Sequence, residues 1–270
     1  LLAENNQGYA NLMKIVSKSF VEGFYYKPRV DLQLLEKYHE GLIALSACLA
    51  GEVARFLTRG MYEDAKAAAL RYQDIFGKGN FFLELQDHGI PEQQNVNQQL
   101  LKMHRETGIE LVATNDVHYT LAEDAQPHDV LLCLQTGKKL SDENRMRYDG
   151  GQYYVKSPEE MERLFPYATE ALENTHKIAQ RCHVEIEFGV TKLPKFDVPQ
   201  GYTSWEYLNE LCFKGLEERY QPVTEELKER LNYELSTIKN MGYVDYFLIV
   251  WDFIRYARDH DIMVGPGRGS

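Results

Sequence analysis

Between residues 81 and 89 the sequence reads FFLELQDHG, a mainly apolar run of five residues followed by a polar turn. A short apolar run announced by Gly79 and Asn80 predicts a buried β-strand. Two further runs share this pattern, at Leu42–Leu45 and at Glu110–Thr114. The sequence therefore predicts three buried strands in its first 114 residues.

Segments with helical periodicity separate these strands. Asp31 is placed to cap a helix that begins at Leu32, and Pro91 is placed to open another. Helices are predicted at Asn6–Ser19, Leu32–Tyr38, Gly51–Leu57, Met61–Phe76 and Pro91–Thr107. Strands that alternate with helices in this way predict an α/β fold with a mainly parallel sheet or a βα barrel.

The pattern changes after residue 120, where helices follow one another without strands. They are predicted at Pro127–Leu134, Pro158–Phe165, Thr169–Arg181, Trp205–Glu218, Thr224–Asn240 and Tyr243–Asp259. Residues 191–201 contain two prolines and a glycine and are predicted to be a linker. A last strand is predicted at Ile262–Val264. We therefore expect a first domain over residues 1–190 and a mainly helical segment over residues 202–270.

The composition is typical of a soluble globular protein, with 44% hydrophobic and 26% charged residues. The net charge of −11 excludes a basic footprint over the whole surface but leaves room for local contacts to phosphate. No apolar run is long enough to cross a membrane. Four cysteines without a CxxC spacing argue against a zinc ribbon and for a reducing, cytoplasmic compartment. Because the chain lacks an initiator Met, we expect a piece of a longer protein.

Three polar residues that follow predicted strands are candidates for a metal site. Asp116 and His118 come after the third strand, and the period of two in extended chain puts them on one side. His88 follows the second strand. Imidazole suits zinc, iron or manganese, and parallel barrels collect such sites at the carboxyl ends of their strands. A turn aspartate with hydrogen-bonded core histidines is the alternative, and it stays open.

The remaining histidines are not expected to be ligands, because they lie in or near predicted helices. They are His39, His104, His128, His176, His183 and His260. A shell for two or three metals would therefore be incomplete. The GxSxG pattern of a nucleophile elbow does not occur, and no cysteine stands out as the partner of a histidine.

The chain ends in GPGRGS, residues 265–270. Glycines allow backbone N–H groups to approach phosphate oxygens closely, and the Arg268 guanidinium adds a bidentate donor. Ser270 adds a hydroxyl. The stretch is not a Walker A motif, because GxxxxGK[ST] is absent. A phosphate-binding turn and a plain glycine-rich turn are both consistent with it.

Taken together, these segments resemble the alpha subunits of bacterial DNA polymerase III, the C family of replicative polymerases. The likeness is carried, in the family's order, by LLAENNQGYANLMKIVS (1–17), ALSACLAGEV (44–53), FFLELQDHG (81–89), LVATNDVHY (111–119), HDVLLCLQTG (128–137), YYVKSPEEM (153–161), GYVDYFLIVWDFIRYA (242–257) and VGPGRGS (264–270). It implies a polymerase-and-histidinol-phosphatase (PHP) domain over residues 1–190, a distorted βα barrel that lacks its first strands. The helices after the linker would lead into the polymerase palm.

The resemblance implies a metal site of which only part is present. His88, Asp116 and His118 have counterparts in the family's metal-site pattern, whereas an opening H-x-H strand and further ligands would precede Leu1. Zn²⁺ or Mn²⁺ are the ions expected at such a site. We expect this chain to bind them weakly if at all, and the three residues to lie close together.

The resemblance also implies a nucleotide site. Arg268, Gly269 and Ser270 would correspond to the turn that holds the triphosphate in a polymerase-beta-like palm. The catalytic aspartates of the palm would lie beyond Ser270, so no catalytic residue is expected here. The parent protein would use Mg²⁺, primer-template DNA and deoxynucleoside triphosphates. Its partners would include the sliding clamp and a proofreading exonuclease subunit, without a membrane.

Three functions remain as hypotheses. The first is the N-terminal part of a DNA-directed DNA polymerase, inactive by itself. The second is a free-standing PHP-family phosphoesterase that depends on metal. The third is a docking platform for a proofreading 3′–5′ exonuclease, or such an exonuclease itself. GPGRGS after a long helical segment favours the first over the second, because a free phosphatase needs no palm.

Overall fold

The structure is a computed structural model, and it describes residues 1–190 and 192–267. The chain divides into two compact units, the first spanning Leu1–Ile186 and the second beginning at Glu187. Among the described residues, no helix is long and apolar enough to cross a membrane. Each unit has its own hydrophobic core.

A four-stranded sheet with the linear order β1-β2-β3-β4 forms the centre of the first unit. The strands are β1 (Leu2–Ala3), β2 (Leu42–Leu45), β3 (Phe81–Leu85) and β4 (Leu111–Ala113). β1 is antiparallel to β2, whereas β2, β3 and β4 are parallel. The three strands predicted in the first 114 residues are therefore confirmed, with β4 shorter than expected. The described part of the sheet is open, so it does not show the predicted barrel.

Eight α-helices surround this sheet among the described residues of the first unit. They are α1 (Asn6–Val21), α2 (Leu32–Tyr38), α3 (Glu52–Thr58), α4 (Tyr62–Phe76), α5 (Pro91–Thr107), α6 (Ala125–Thr136), α7 (Pro158–Leu164) and α8 (Thr169–Arg181). The Asp31 carboxylate accepts a hydrogen bond from the Leu34 N–H at 2.8 Å, and Pro91 occupies the first turn of α5. Both predicted helix starts are confirmed.

The sheet is covered on both faces, which explains why its strands are apolar throughout. Side chains of one parity in the strands pack with α1, α3, α4 and α5 in the large core. Side chains of the other parity, Ile43, Phe82 and Val112, pack against Ile178 of α8. Asn174 of α8 also donates to the Leu111 carbonyl at 2.8 Å and so ties this helix to β4.

The second unit is a small helical assembly. Its helices are α9 (Ser204–Arg219), α10 (Glu225–Asn240) and α11 (Val244–Asp259). One buried leucine from each helix, Leu208, Leu235 and Leu248, forms the centre of its core. Between Arg181 and Ser204 the described residues contain neither helix nor strand.

The predicted strand at Ile262–Val264 is wrong. These residues have no regular structure, and their side chains are 54%, 96% and 43% exposed in order. The apolar triplet has the composition of a strand, but a strand needs a neighbour to receive its backbone hydrogen bonds. The described residues of the second unit offer no such neighbour.

Candidate functional site

The candidate residues lie where two adjacent parallel strands end. β3 ends at Leu85 and pairs with β4, which ends at Ala113, in a register that puts these two residues opposite each other. Because the strands are parallel, the segments that follow them leave the sheet at the same edge. His88 follows β3, and Asp116 and His118 follow β4, so the topology brings the three residues together.

His88 is wedged into this edge with only 3% of its surface exposed. Its Nε2 accepts a hydrogen bond from the Asp116 backbone N–H at 3.2 Å, and the Gln93 amide nitrogen lies 3.1 Å from its Nδ1. The ring stacks on Tyr153 with centroids 4.6 Å apart and planes within 6°. Burial, followed by the positive charge of Lys156, lowers the pKa of His88. Because Nε2 accepts a hydrogen bond, it carries no proton, which agrees with a neutral imidazole.

Asp116 and His118 form a looser pair at the surface. The His118 Nδ1 lies 3.6 Å from the Asp116 carboxylate and 3.2 Å from the Asp116 carbonyl oxygen. The His118 backbone N–H donates to the Tyr153 carbonyl at 2.8 Å. The His118 side chain is 27% exposed and the Asp116 side chain is 47% exposed. Tyr153 therefore contacts both His88 and His118, which follow different strands.

Sequence reasoning missed the rings that surround His118. His128 of α6 lies 5.8 Å from it between centroids, and Tyr148 lies 4.1 Å away. Tyr148 and Tyr153 meet edge to face at 4.9 Å. His128 lies in a helix, and nothing in its spacing along the sequence links it to the strand ends. The tyrosine-rich stretch after residue 147 was the available signal.

A bidentate ion pair fixes the loop that carries Tyr148. The Arg145 guanidinium donates to both carboxylate oxygens of Asp129 on α6, one of them at 2.7 Å. The Arg145 side chain is only 4% exposed. This pair lowers the pKa of Asp129 through the hydrogen bonds from Arg145. The ion pair joins the loop of residues 138–150 to α6, the helix that also carries His128.

Glu84 joins the ends of all three parallel strands. Its carboxylate accepts hydrogen bonds from the Ala47 N–H after β2 at 3.0 Å and from the Thr114 hydroxyl after β4 at 2.5 Å. Its own backbone N–H donates to the Ser46 hydroxyl at 2.8 Å. Beside it lies a cavity of about 10 Å³, lined in part by Cys48, Glu84, Gln86 and Gln93. That volume is close to the space that one water needs.

These residues do not by themselves fit a metal ion. Over residues 1–190 and 192–267, no three His, Cys, Asp or Glu side chains are arranged as a metal shell. His88 also has both ring nitrogens engaged by protein groups. The proximity of His88, Asp116 and His118 is shown, whereas their role as ligands stays a prediction. The predicted nucleotide-binding residues, Arg268, Gly269 and Ser270, lie outside the described residues.

Comparisons with known proteins match the chain along its full length. A family model described as "PHP domain" matches residues 1–88, and one described as "Bacterial DNA polymerase III alpha NTPase domain" matches residues 206–270. The sequence is 48% identical to DNA polymerase III subunit alpha of Treponema pallidum and 49% identical to that of Borreliella burgdorferi. For Helicobacter pylori the identity is 43%. The chain is homologous to bacterial DNA polymerase III alpha subunits.

The alignments to these alpha subunits cover 100% of the chain but only 23%, 24% and 24% of the three relatives. The chain thus spans about a quarter of their length. The PHP match ends at His88, so Asp116 and His118 lie in a part that is aligned only with the alpha subunits themselves. The second match lies within the helical unit.

Proposed function

We propose that this chain is part of a replicative DNA-directed DNA polymerase that acts in the cytoplasm. The first unit would be a PHP domain of the barrel type, and the second would lead into the polymerase palm. The observation that carries the proposal is the end-to-end similarity to alpha subunits, at 43–49% identity in the alignments described above. The match over residues 206–270 favours this function over a free-standing PHP phosphoesterase.

The proposed reaction of the whole enzyme is nucleotidyl transfer from deoxynucleoside triphosphates to a DNA primer, with Mg²⁺ as the metal. Arg268, Gly269 and Ser270 would contact the triphosphate. A guanidinium and backbone N–H groups aimed at phosphate oxygens stabilise the charge that develops during such a transfer. The sliding clamp and a proofreading exonuclease subunit are the proposed partners.

For the first unit, the geometry favours a supporting role over hydrolysis. At the edge of the sheet, protein groups contact both ring nitrogens of His88, and Glu84 links the neighbouring strand ends through hydrogen bonds. We therefore propose that this edge helps to dock a proofreading 3′–5′ exonuclease. A Zn²⁺ or Mn²⁺ ion at His88, Asp116 and His118 would need ligands beyond these three.

A chimeric alpha subunit tests the polymerase function. This chain would replace the matching segment of the Treponema pallidum protein, and primer extension would be measured. We expect the chimera to extend primers and Arg268→Ala to lower the incorporation rate by about 10²–10³, with primer-template binding nearly unchanged. Arg258→Ala on α11 is the matched control, expected to leave the rate unchanged. A chimera that binds primer-template but cannot extend it would contradict the proposal.

A further inference from the structure

The loop between α1 and α2 exposes three consecutive aromatic side chains. Phe24, Tyr25 and Tyr26 are 58%, 63% and 82% exposed. The last turn of α1 adds Phe20 and Val21, which are 57% and 83% exposed. The Tyr25 and Tyr26 rings meet edge to face with their centroids 4.6 Å apart, and clustered exposed apolar groups mark places of interaction.

Hydrogen bonds and a cation–π contact within the loop define its conformation. The Tyr25 N–H donates to the Lys27 carbonyl at 3.1 Å, and the Arg29 Nε donates to the Tyr25 carbonyl at 3.2 Å. The Arg29 guanidinium lies 5.1 Å from the centroid of the Tyr25 ring. Tyr26 has φ of 59°, a left-handed conformation that residues other than glycine rarely adopt. Such conformations at residues other than glycine cluster at functional sites.

The surroundings of the loop are basic in an acidic chain. Residues 14–37 contain five Lys or Arg and three Asp or Glu, a net charge of +2, although the whole chain carries −11. Glu22 and Lys18 pair with each other, so the net charge of +2 is carried by the remaining side chains of this segment, and among these Asp31 caps α2. Beside the loop lies a groove of about 550 Å³, and its charged lining residues are three cations, Lys18, Arg29 and Lys37, and two carboxylates, Glu22 and Asp31.

We propose that the loop Phe24–Arg29 and the adjoining groove bind single-stranded nucleic acid. Exposed aromatic faces stack on unpaired bases, and lysine and arginine side chains meet the phosphates that link those bases. A duplex hides its base faces in its own stack, so it fits this surface less well. The choice of nucleic acid over an acidic peptide rests on the proposed function. The evidence that this surface is a binding site is its exposed rings, its backbone conformation and its charge.

The test uses the 270-residue chain and a fluorescent oligothymidine of about 20 nucleotides, with affinity measured by anisotropy. Tyr26→Leu keeps an apolar side chain but removes the stacking face, so we expect affinity to fall about tenfold. Tyr26→Phe keeps the face and should bind like the wild type. Tyr233→Leu, at a tyrosine that is 67% exposed on α10, is the matched control and should also bind like the wild type.

Charge gives an independent measurement. Each phosphate contact to a single strand contributes about −0.7 to the slope of log affinity against log salt, so Lys27→Gln should flatten that slope by about this amount. The proposal is overturned if the wild type does not bind, if Tyr26→Leu binds unchanged, or if Tyr233→Leu loses as much affinity. Primer extension by the chimera tests the proposed function separately, so each of the two can fail while the other stands.

Discussion

His88 is the residue through which acid should destabilise the first unit. Its burial and the charge of Lys156 lower its pKa below the ordinary 6.5. The His88 imidazole therefore takes up a proton more readily in the unfolded chain than in the folded one. The free energy of unfolding consequently falls as the pH drops through 6.5. Urea unfolding between about pH 7.5 and about pH 5 should show this loss.

The His88 effect can be separated from that of other titrating groups by variants. His88→Gln should reduce the dependence of the unfolding free energy on pH, because its side chain does not titrate in this range. Equal pH slopes for wild type and His88→Gln would contradict the burial argument.

Arg145 and Asp129 give a second prediction for single residues. Asp129→Ala removes both acceptors of a nearly covered guanidinium, so the loop at residues 138–150 should open more often. Hydrogen exchange of its backbone amides should speed up while that of the strands stays unchanged. Arg230→Ala breaks an exposed pair with Glu234 and should have no effect on this loop. Unchanged exchange over residues 138–150 in Asp129→Ala would show that the pair does not anchor it.

The candidate site was only partly predictable for a physical reason. Strand-end positions follow from local pattern, so His88, Asp116 and His118 could be named from the sequence. The rings around them belong to His128 of α6 and to Tyr148, which lies 30 residues after His118 in the sequence. Their approach to His118 depends on tertiary packing. No local periodicity announces such a contact.

The elements show the same division between local and tertiary causes. Helix bounds were predictable to within about two residues because caps such as Asp31 and Pro91 act on adjacent backbone groups. The strand expected at Ile262–Val264 failed because pairing depends on a neighbour that composition cannot supply. Apolar content indicates where a strand could form, but whether it forms depends on a neighbouring strand with which it can pair.

The contact between α1 and the turn before β2 yields the prediction for an element. A Cβ added at Gly8 would lie 1.8 Å from the Gly41 carbonyl oxygen, so the backbone must shift. Gly8→Ala should lower the free energy of unfolding by about 1–3 kcal/mol, measured in urea. Gly265→Ala, which meets nothing within 4 Å, is the control and should change it little. Equal stability of the two variants would mean that α1 can move away without cost.

The whole molecule consists of two units, and the first is closed by its own ends. The His183 N–H donates to the Glu4 carbonyl at 2.8 Å, and the Glu185 N–H donates to the Asn6 side chain at 2.8 Å. The Asn6 side-chain amide in turn donates a hydrogen bond to the Glu185 carbonyl at 3.2 Å. These bonds fasten the segment after α8 to the start of α1, so the first unit should need its residues up to about Ile186.

Two truncated chains test this closure. A chain of residues 1–186 keeps the three hydrogen bonds and should unfold in one cooperative transition. A chain of residues 1–181 loses them, and at about 1 kcal/mol for each bond it should be less stable by about 3 kcal/mol. Because Arg181 still reaches Glu4 in the shorter chain, any difference belongs to residues 182–186. Identical urea midpoints would mean that the first unit ends at α8 and that the later residues only lie along its surface.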